Sequence, residues 1–262
     1  MPEVVAAHRE AGVLRLTLNR PDLRNAMSLE MVDALLARLE EAASQGDRAV
    51  VLRGAGGHFC SGGDIKDMGA AQGRPVTDTD PVAEVNARFG ALCAAYAATG
   101  LPVVCVVEGA VMGGGFGLAC VADVVIAAES AVFRLPETGL GLVPAQIAPF
   151  LVERLGYSQA RRLAVTGGKL DAHEALRIGL AHQVCEGEDA LQSALADTLT
   201  QIKKGAPDAI AQTKRLVRRA RLEDPASLVA DAAAIFARAA RSEEGAEGLT
   251  AFLEKRRAKW AV

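Results

Sequence analysis

Hydrophobic and polar positions fall into several distinct registers along the chain, and each register points to an element. Val13–Leu18 alternates with period two, as a half-buried strand does. After Ser28, a residue suited to cap a helix, Val32, Leu35, Leu36 and Leu39 recur at i, i+3, i+4 and i+7. Arg48–Arg53 is a short β-branched run stopped by Gly54, so strand, helix and strand are expected in the first fifty residues. A further helix carries Val85, Phe89, Leu92, Cys93 and Tyr96 on one face and ends at Gly100 and Pro102. Val103–Val107 has the continuous apolar character of a buried strand, and the run through Ala128 holds a short helix and another strand. From Pro144 the pattern turns helical. Asp171 with Glu174 gives a capping-box signal and Gly179 a stop, while Pro207–Ala220 puts Ile210, Thr213, Val217 and Ala220 on one face. Strands alternating with helices predict an α/β core.

One stretch breaks the rhythm. Gly54–Ala83 is rich in Gly, Asp, Pro and Thr and is too long for an ordinary connection, so it reads as a functional loop or a partly mobile segment. Composition adds limits. With 262 residues, 50% hydrophobic and 23% charged, the chain can bury a full core and is not a disordered protein. Its apolar runs are broken by Pro102 and Asp123, so none spans a bilayer. Met1-Pro2-Glu3-Val4 has neither the basic nor the apolar region of an export signal. Five cysteines, odd in number and without C-x-x-C spacing, then read as reduced thiols of a cytoplasmic protein. Four histidines form no ligand-like cluster, so no metal site is expected.

The 29 basic and 32 acidic residues leave a net charge of −3, which offers no general attraction to nucleic acid or anionic membrane. Positive charge gathers late, in Lys203, Lys204, Lys214, Arg215, Arg218, Arg219 and Arg221, and again in Lys255, Arg256, Arg257 and Lys259. Solvated helix faces are the plain reading of both clusters.

Candidate chemistry lies in two glycine-rich loops, each after an expected strand: His58-Phe59-Cys60-Ser61-Gly62-Gly63-Asp64 and Gly113-Gly114-Gly115. Neither is a P-loop or a dinucleotide fingerprint. Either alone could be a tight turn. Together they could aim two backbone N–H groups at one oxygen, as an oxyanion hole requires. Pro136-Glu137-Thr138-Gly139-Leu140-Gly141 adds a lone carboxylate among apolar residues, where desolvation would raise its pKa toward acid/base use. The plainer alternative for Glu137 is a surface residue ending a loop.

In this order the motifs resemble the crotonase (enoyl-CoA hydratase/isomerase) superfamily. The resemblance is carried by Asn19-Arg20-Pro21 with Asn25-Ala26, Phe59-Cys60-Ser61-Gly62-Gly63-Asp64-Ile65, Gly109 with Gly113-Gly114-Gly115, Pro136-Glu137 with Gly141, and Glu247-Gly248 with Ala251-Phe252-Leu253-Glu254-Lys255-Arg256. It implies an α/β spiral of ββα units over residues 1–200 and a C-terminal helical trimerisation part over 201–262. An acyl-CoA thioester would be the substrate, with no separate cofactor, and the protein would be a homotrimer or hexamer. The N–H groups of Gly63 and Gly114 match the oxyanion hole. Asn25, Ala26, Ser61, Asp64, Ile65 and Lys66 match stretches that line the CoA pocket, and Phe252 and Lys255 match positions reaching CoA from the C-terminus.

Hydratases of this family usually carry two glutamates, and here the first position is Gly117, which leaves Glu137 alone. The stretch from Arg134 to Phe150 resembles the branch that hydrates isohexenylglutaconyl-CoA and relatives, a branch that tends to lack the first glutamate. Gly117 is expected to free volume and remove negative charge beside the reacting carbons, with Leu142, Ala145 and Gln146 completing the acyl pocket. The alternatives are isomerisation or decarboxylation on the same fold. A non-catalytic CoA-ester or RNA-binding scaffold is disfavoured by the net charge and the scarcity of aromatic residues.

Overall fold

The computed structural model describes residues 3–261. Met1 and Pro2, part of the stretch read for an export signal, and Val262, the end of the expected helical region, lie outside the described residues. The chain divides into two units, one formed by the chain up to Ala97 with Val103–Leu195, the other by Ala98–Pro102 with the chain from Ala196.

In the first unit, β1 (Val5–Glu10) turns into β2 (Val13–Leu18) through Ala11 and Gly12, at φ 49° and 72°. Those positive values suit a two-residue hairpin turn. α1 (Leu29–Gln45) starts at Ser28, whose Oγ accepts from the Met31 N–H at 3.3 Å, and buries Met31, Val32, Leu35 and Leu39. β3 (Ala49–Gly54) follows. The long Gly54–Ala83 segment contains α2 (Ile65–Gln72), begun by Asp64, whose carboxylate accepts from the Lys66 N–H at 2.8 Å. α3 (Pro81–Ala98) buries Leu92, Cys93 and Tyr96 as expected. Next come β4 (Val103–Val107), β5 (Ala110–Met112), α4 (Gly114–Val121), β6 (Val124–Ala128) and β7 (Val132–Arg134). α5 (Ala148–Thr166), β8 (Lys169–Asp171), α6 (Ala172–Arg177), β9 (Gln183–Cys185) and α7 (Gly187–Lys204) complete the order, α7 passing into the second unit from Ala196.

Six strands form one sheet in the order β1-β2-β3-β4-β6-β9, parallel except for the β1–β2 hairpin. All five residues of β4 are buried, as a central parallel strand requires. A smaller sheet runs β5-β7-β8, with β5 and β7 parallel. Residues 59–60 join its edge. The Cys60 N–H donates to the Ala110 carbonyl at 2.9 Å, and the Met112 N–H donates to the Cys60 carbonyl at 2.9 Å. Three segments therefore run side by side in one direction. They leave the sheet at the same end, into Gly62-Gly63, Gly113-Gly114 and Pro136-Glu137.

The second unit holds α8 (Pro207–Ala220), α9 (Pro225–Ala240) and α10 (Glu243–Leu253). α8 has the expected boundaries but not the expected buried face. None of its residues is buried, and Val217 stays 66% exposed. The side turned to its own unit carries Ala211, beside Gly100, and Lys214, whose Nζ donates to the Leu101 carbonyl at 2.6 Å. No helix among the described residues is long and apolar enough to cross a membrane.

Candidate active site

Each glycine loop is built so that one amide is left over. In the first, the Met27 N–H donates to the Gly62 carbonyl at 2.8 Å and the Asp64 N–H to the Met27 carbonyl at 2.9 Å. That bridge points the Gly63 N–H the other way. In the second loop, Gly113 stands at φ 48°, ψ −112°, a conformation open only to glycine, and turns the chain into α4. The Gly113 N–H donates to the Arg134 carbonyl at 3.1 Å. Gly114 is the first residue of α4, so its N–H has no partner within the helix. Among the described residues, the N–H groups of Gly63 and Gly114 find no acceptor. Both sit where a helix N-terminus favours negative charge.

Glu137 opens a 3₁₀ turn, Glu137–Leu140, directly after β7 and Pro136. The turn is pinned from outside, by Thr138 Oγ1 donating to the Ala164 carbonyl at 3.2 Å and Arg134 Nε to the Gly167 carbonyl at 3.4 Å. The carboxylate is half-buried, and its Oε2 is buried without a hydrogen-bond partner. Oε1 lies 3.0 Å from where a Cβ on Gly113 would stand, and Gly62 Cα lies 3.5 Å from the same point. Both loops and the carboxylate thus meet at Gly113. Burial, with little compensation from hydrogen bonding, pushes the Glu137 pKa up. Cys60, between the loops, is fully buried, and that burial pushes its thiol up to about 11, so it stays protonated.

Gly117 is the clearest correction to the sequence reading. The space its missing side chain was expected to free is occupied. A methyl group there would overlap Ile147 Cγ2 and stand 3.2 Å from Phe89 Cζ. Phe89 also lies 3.3 Å from a Cβ placed on Gly114, and Met27 Sδ 3.9 Å from it. The side chains around Gly114 and Gly117 are apolar. Of the other expected pocket residues, Leu142 is 41% exposed and Ala145 exposed, whereas Gln146 reaches α3, its Nε2 donating to Asn86 Oδ1 at 2.8 Å.

The expected CoA-pocket residues divide into two kinds. Asn25 is fully buried at φ 56°, its Oδ1 accepting from the Arg20 N–H at 2.8 Å and its Nδ2 donating to the carbonyls of Ala55 and His58 at 2.9 and 2.7 Å. Asp64 is buried against Arg20 at 2.7 Å, and Ser61 Oγ donates to the Leu23 carbonyl at 3.1 Å. These side chains hold the loop together. Ile65 (77% exposed) and Lys66 face outward, and Ala26 is half-buried. Phe252 and Lys255 lie in the second unit, Phe252 81% exposed and Lys255 in a left-handed turn at φ 55°.

Phe89 and Ile147 lie in segments expected to wall the pocket, the helix after Ala83 and the stretch Leu140–Phe150, but neither was singled out. The role of His58, whose Nδ1 accepts from the Ala110 N–H at 3.1 Å and ties the loops together, was not read from its place in the first loop. Phe89 was visible only as a helix-face residue. Gly90, a glycine in the middle of an expected helix, marks the close approach of Gln146, the residue before Ile147.

Comparison with known proteins places the chain among relatives of one family. A family model described as enoyl-CoA hydratase/isomerase matches residues 8–262. The chain is 31% identical to the 2,3-dehydroadipyl-CoA hydratase of Escherichia coli, covering 98% of this chain and 97% of that one. Among solved structures, an enoyl-CoA hydratase/isomerase from Marinobacter aquaeolei superimposes with TM-score 0.96 at 49% identity over 99% of this chain and 100% of its own. AtuE of Pseudomonas aeruginosa matches with the same score, identity and coverage.

Proposed function

The chain belongs to the enoyl-CoA hydratase/isomerase family and has the crotonase fold, and from that premise we propose that it hydrates the 2,3 double bond of an enoyl-CoA with Glu137 as its single acid/base group. The observation that carries this reading is the buried, unpartnered Oε2 of Glu137 beside two loops that each leave one N–H unpaired. The thioester oxygen would accept from Gly63 and Gly114. Glu137 would take a proton from water as the water oxygen bonds to C3. The electron pair of the double bond moves toward the thioester, whose oxygen becomes an enolate held by the two N–H groups. Glu137 then returns its proton to C2. Each oxyanion donor is worth about 3–4 kcal/mol in the transition state.

For the acyl group we favour a branched, glutaconyl-type thioester. A relative named for 2,3-dehydroadipyl-CoA handles an acyl chain ending in a carboxylate. With Gly117 in place of a second glutamate, such a substrate meets one negative side chain rather than two. Volume freed at Gly117 no longer supports the choice, since Ile147 fills it. CoA enters as part of the substrate, along the rim shaped by Asn25, Ala26, Ser61 and Asp64 and open at Ile65 and Lys66. Phe252 and Lys255 of a neighbouring subunit would reach it, in a homotrimer or hexamer.

The second reading is isomerisation, favoured by the hydrocarbon wall of Ile147 and Phe89, which offers no group to hold water. Incubation with linear, branched and dicarboxylic enoyl-CoAs in H₂¹⁸O separates the two. Label at C3 is expected; a shifted double bond without label would replace hydration by isomerisation. Glu137→Gln should lower kcat by ~10²–10⁴, and near wild-type hydration by that variant would remove Glu137 from the mechanism.

A further inference from the structure

We propose that Gln146, Asn86 and Gly90 form a latch that sets the width of the acyl pocket by holding Ile147 against Gly117; the proposal rests on the reading of this site as an acyl-CoA site. Gly90 lies in the interior of α3, where glycine weakens a helix. A methyl group at that position would stand 2.6 Å from Gln146 Cδ and 3.2 Å from its Cγ. The bare backbone is therefore a seat for the Gln146 side chain. From that seat Gln146 extends one turn toward the start of α3, where its Nε2 donates to Asn86 Oδ1 at 2.8 Å.

What the seat fixes is the next residue. Ile147 is 3% exposed, and its Cγ2 fills the space above Gly117. Phe89, from the same turn of α3 as Gly90, closes that space from the helix side. Gln146 is the only residue from Leu140 to Ala148 with a polar side chain. Leu140, Leu142 and Val143 remain 65%, 41% and 72% exposed, so burial does little to hold the front of this stretch. The Gln146–Asn86 bond is thus a side-chain hydrogen bond between the stretch and α3. Loosening it frees Ile147 and opens the Gly117 side of the pocket to a bulkier acyl group.

Unreactive saturated thioesters test this without relying on turnover. Dissociation constants for butyryl-CoA and 3-methylbutyryl-CoA, measured by calorimetry, give a ratio that reports pocket width, since the extra methyl adds bulk beside C3. The wild-type ratio is the reference, and relaxation means a shift of that ratio toward the branched thioester. Ile147→Ala should relax the ratio at least tenfold, and Gln146→Ala and Gly90→Ala at least threefold in the same direction. Asn86→Asp, which keeps the acceptor for Gln146, should retain the wild-type ratio, whereas Asn86→Leu should relax it. Thermal melts confirm that each variant is folded, and Gly90→Ala displaces the Gln146 amide while leaving both polar side chains chemically intact. A wild-type ratio in folded Gln146→Ala and Gly90→Ala overturns the latch, and a wild-type ratio in Ile147→Ala overturns the wall it is said to hold. Binding and the expected shifts without turnover of any enoyl-CoA would support the latch and remove the hydratase reading instead. No binding of either thioester to wild type overturns both.

Discussion

Glu137 shows how one side chain links chemistry to stability. Its carboxylate is half-buried with one oxygen unpaired, and burial raises its pKa in the fold above that of an ordinary glutamate. Because the folded protein disfavours the charged form, the contribution of Glu137 to stability is full below the ordinary glutamate range and declines as pH rises through the raised pKa. Glu137→Gln cannot ionise. It should therefore melt at a higher temperature than wild type at neutral pH, with the difference vanishing in acid below the glutamate range. The acid limb of the kcat profile should also lie above that range, since the base must be ionised. A limb at ordinary glutamate values, or an advantage of the variant over wild type no larger at pH 7 than at pH 3, would contradict the desolvated carboxylate. Gly117 makes the opposite point. Gly117→Glu, which reinstates the second glutamate of other hydratases, should cost about 1–3 kcal/mol or more, because Ile147 occupies the site. Adding Ile147→Gly should recover part of that loss in a thermal melt. A single variant as stable as wild type would show that Ile147 yields freely.

At the level of elements, the site exists because three parallel segments end together, and His58 is the strut that fixes their register. The Phe59 N–H donates to the Glu108 carbonyl at 2.8 Å, and the Ala110 N–H donates to His58 Nδ1 at 3.1 Å, just before the chain reaches Gly113 and Gly114. His58→Leu leaves the Ala110 N–H unpaired, at about 1–3 kcal/mol, and lets the loops drift. It should lower kcat about ten- to a hundredfold with little change in KM. His58→Asn offers an oxygen near the place of Nδ1 and should keep most of the rate. Equal losses in both variants would deny His58 this role. Much of this scaffold was legible in the sequence, since β2, α1, β3, α3, β4 and α8 follow from periodicity and punctuation. β1 was not, because five of its six residues are exposed and its turn is Ala-Gly rather than Asn-Gly. β8 and β9, at three residues each, are too short to show a period, and α2 is diluted by Gly69. The two loops and Glu137 stood out because glycines and a lone carboxylate keep their signature in one dimension. The filled space at Gly117 could not, since it is made by Ile147, thirty residues away, and by a helix that precedes both.

The helices of the second unit argue for more than one chain in the whole molecule. α9 reads Pro-Ala-Ser-Leu-Val-Ala-Asp-Ala-Ala-Ala-Ile-Phe-Ala-Arg-Ala-Ala, apolar nearly all round, yet only Leu228 of its sixteen residues is buried. A helix with that pattern is normally covered on most sides. Val229 and Phe236 on α9 are 67% and 75% exposed, and Leu249, Phe252 and Leu253 on α10 are 61%, 81% and 78% exposed. Burying a side chain of this size stabilises by about 1.5–3 kcal/mol, so covering several of them is enough to drive association. We therefore expect a homo-oligomer built through this unit, in keeping with the proposed placement of Phe252 and Lys255 at a CoA site. Sedimentation at micromolar concentration should give three or six times the chain mass of 27.3 kDa. Phe236→Glu should lower that mass while leaving helix content intact, because its ring supports nothing buried in its own chain. A wild-type protein sedimenting at 27.3 kDa would leave the exposed face of α9 without the partner its sequence calls for, and would show that the first unit's carboxylate and two glycine loops must work alone.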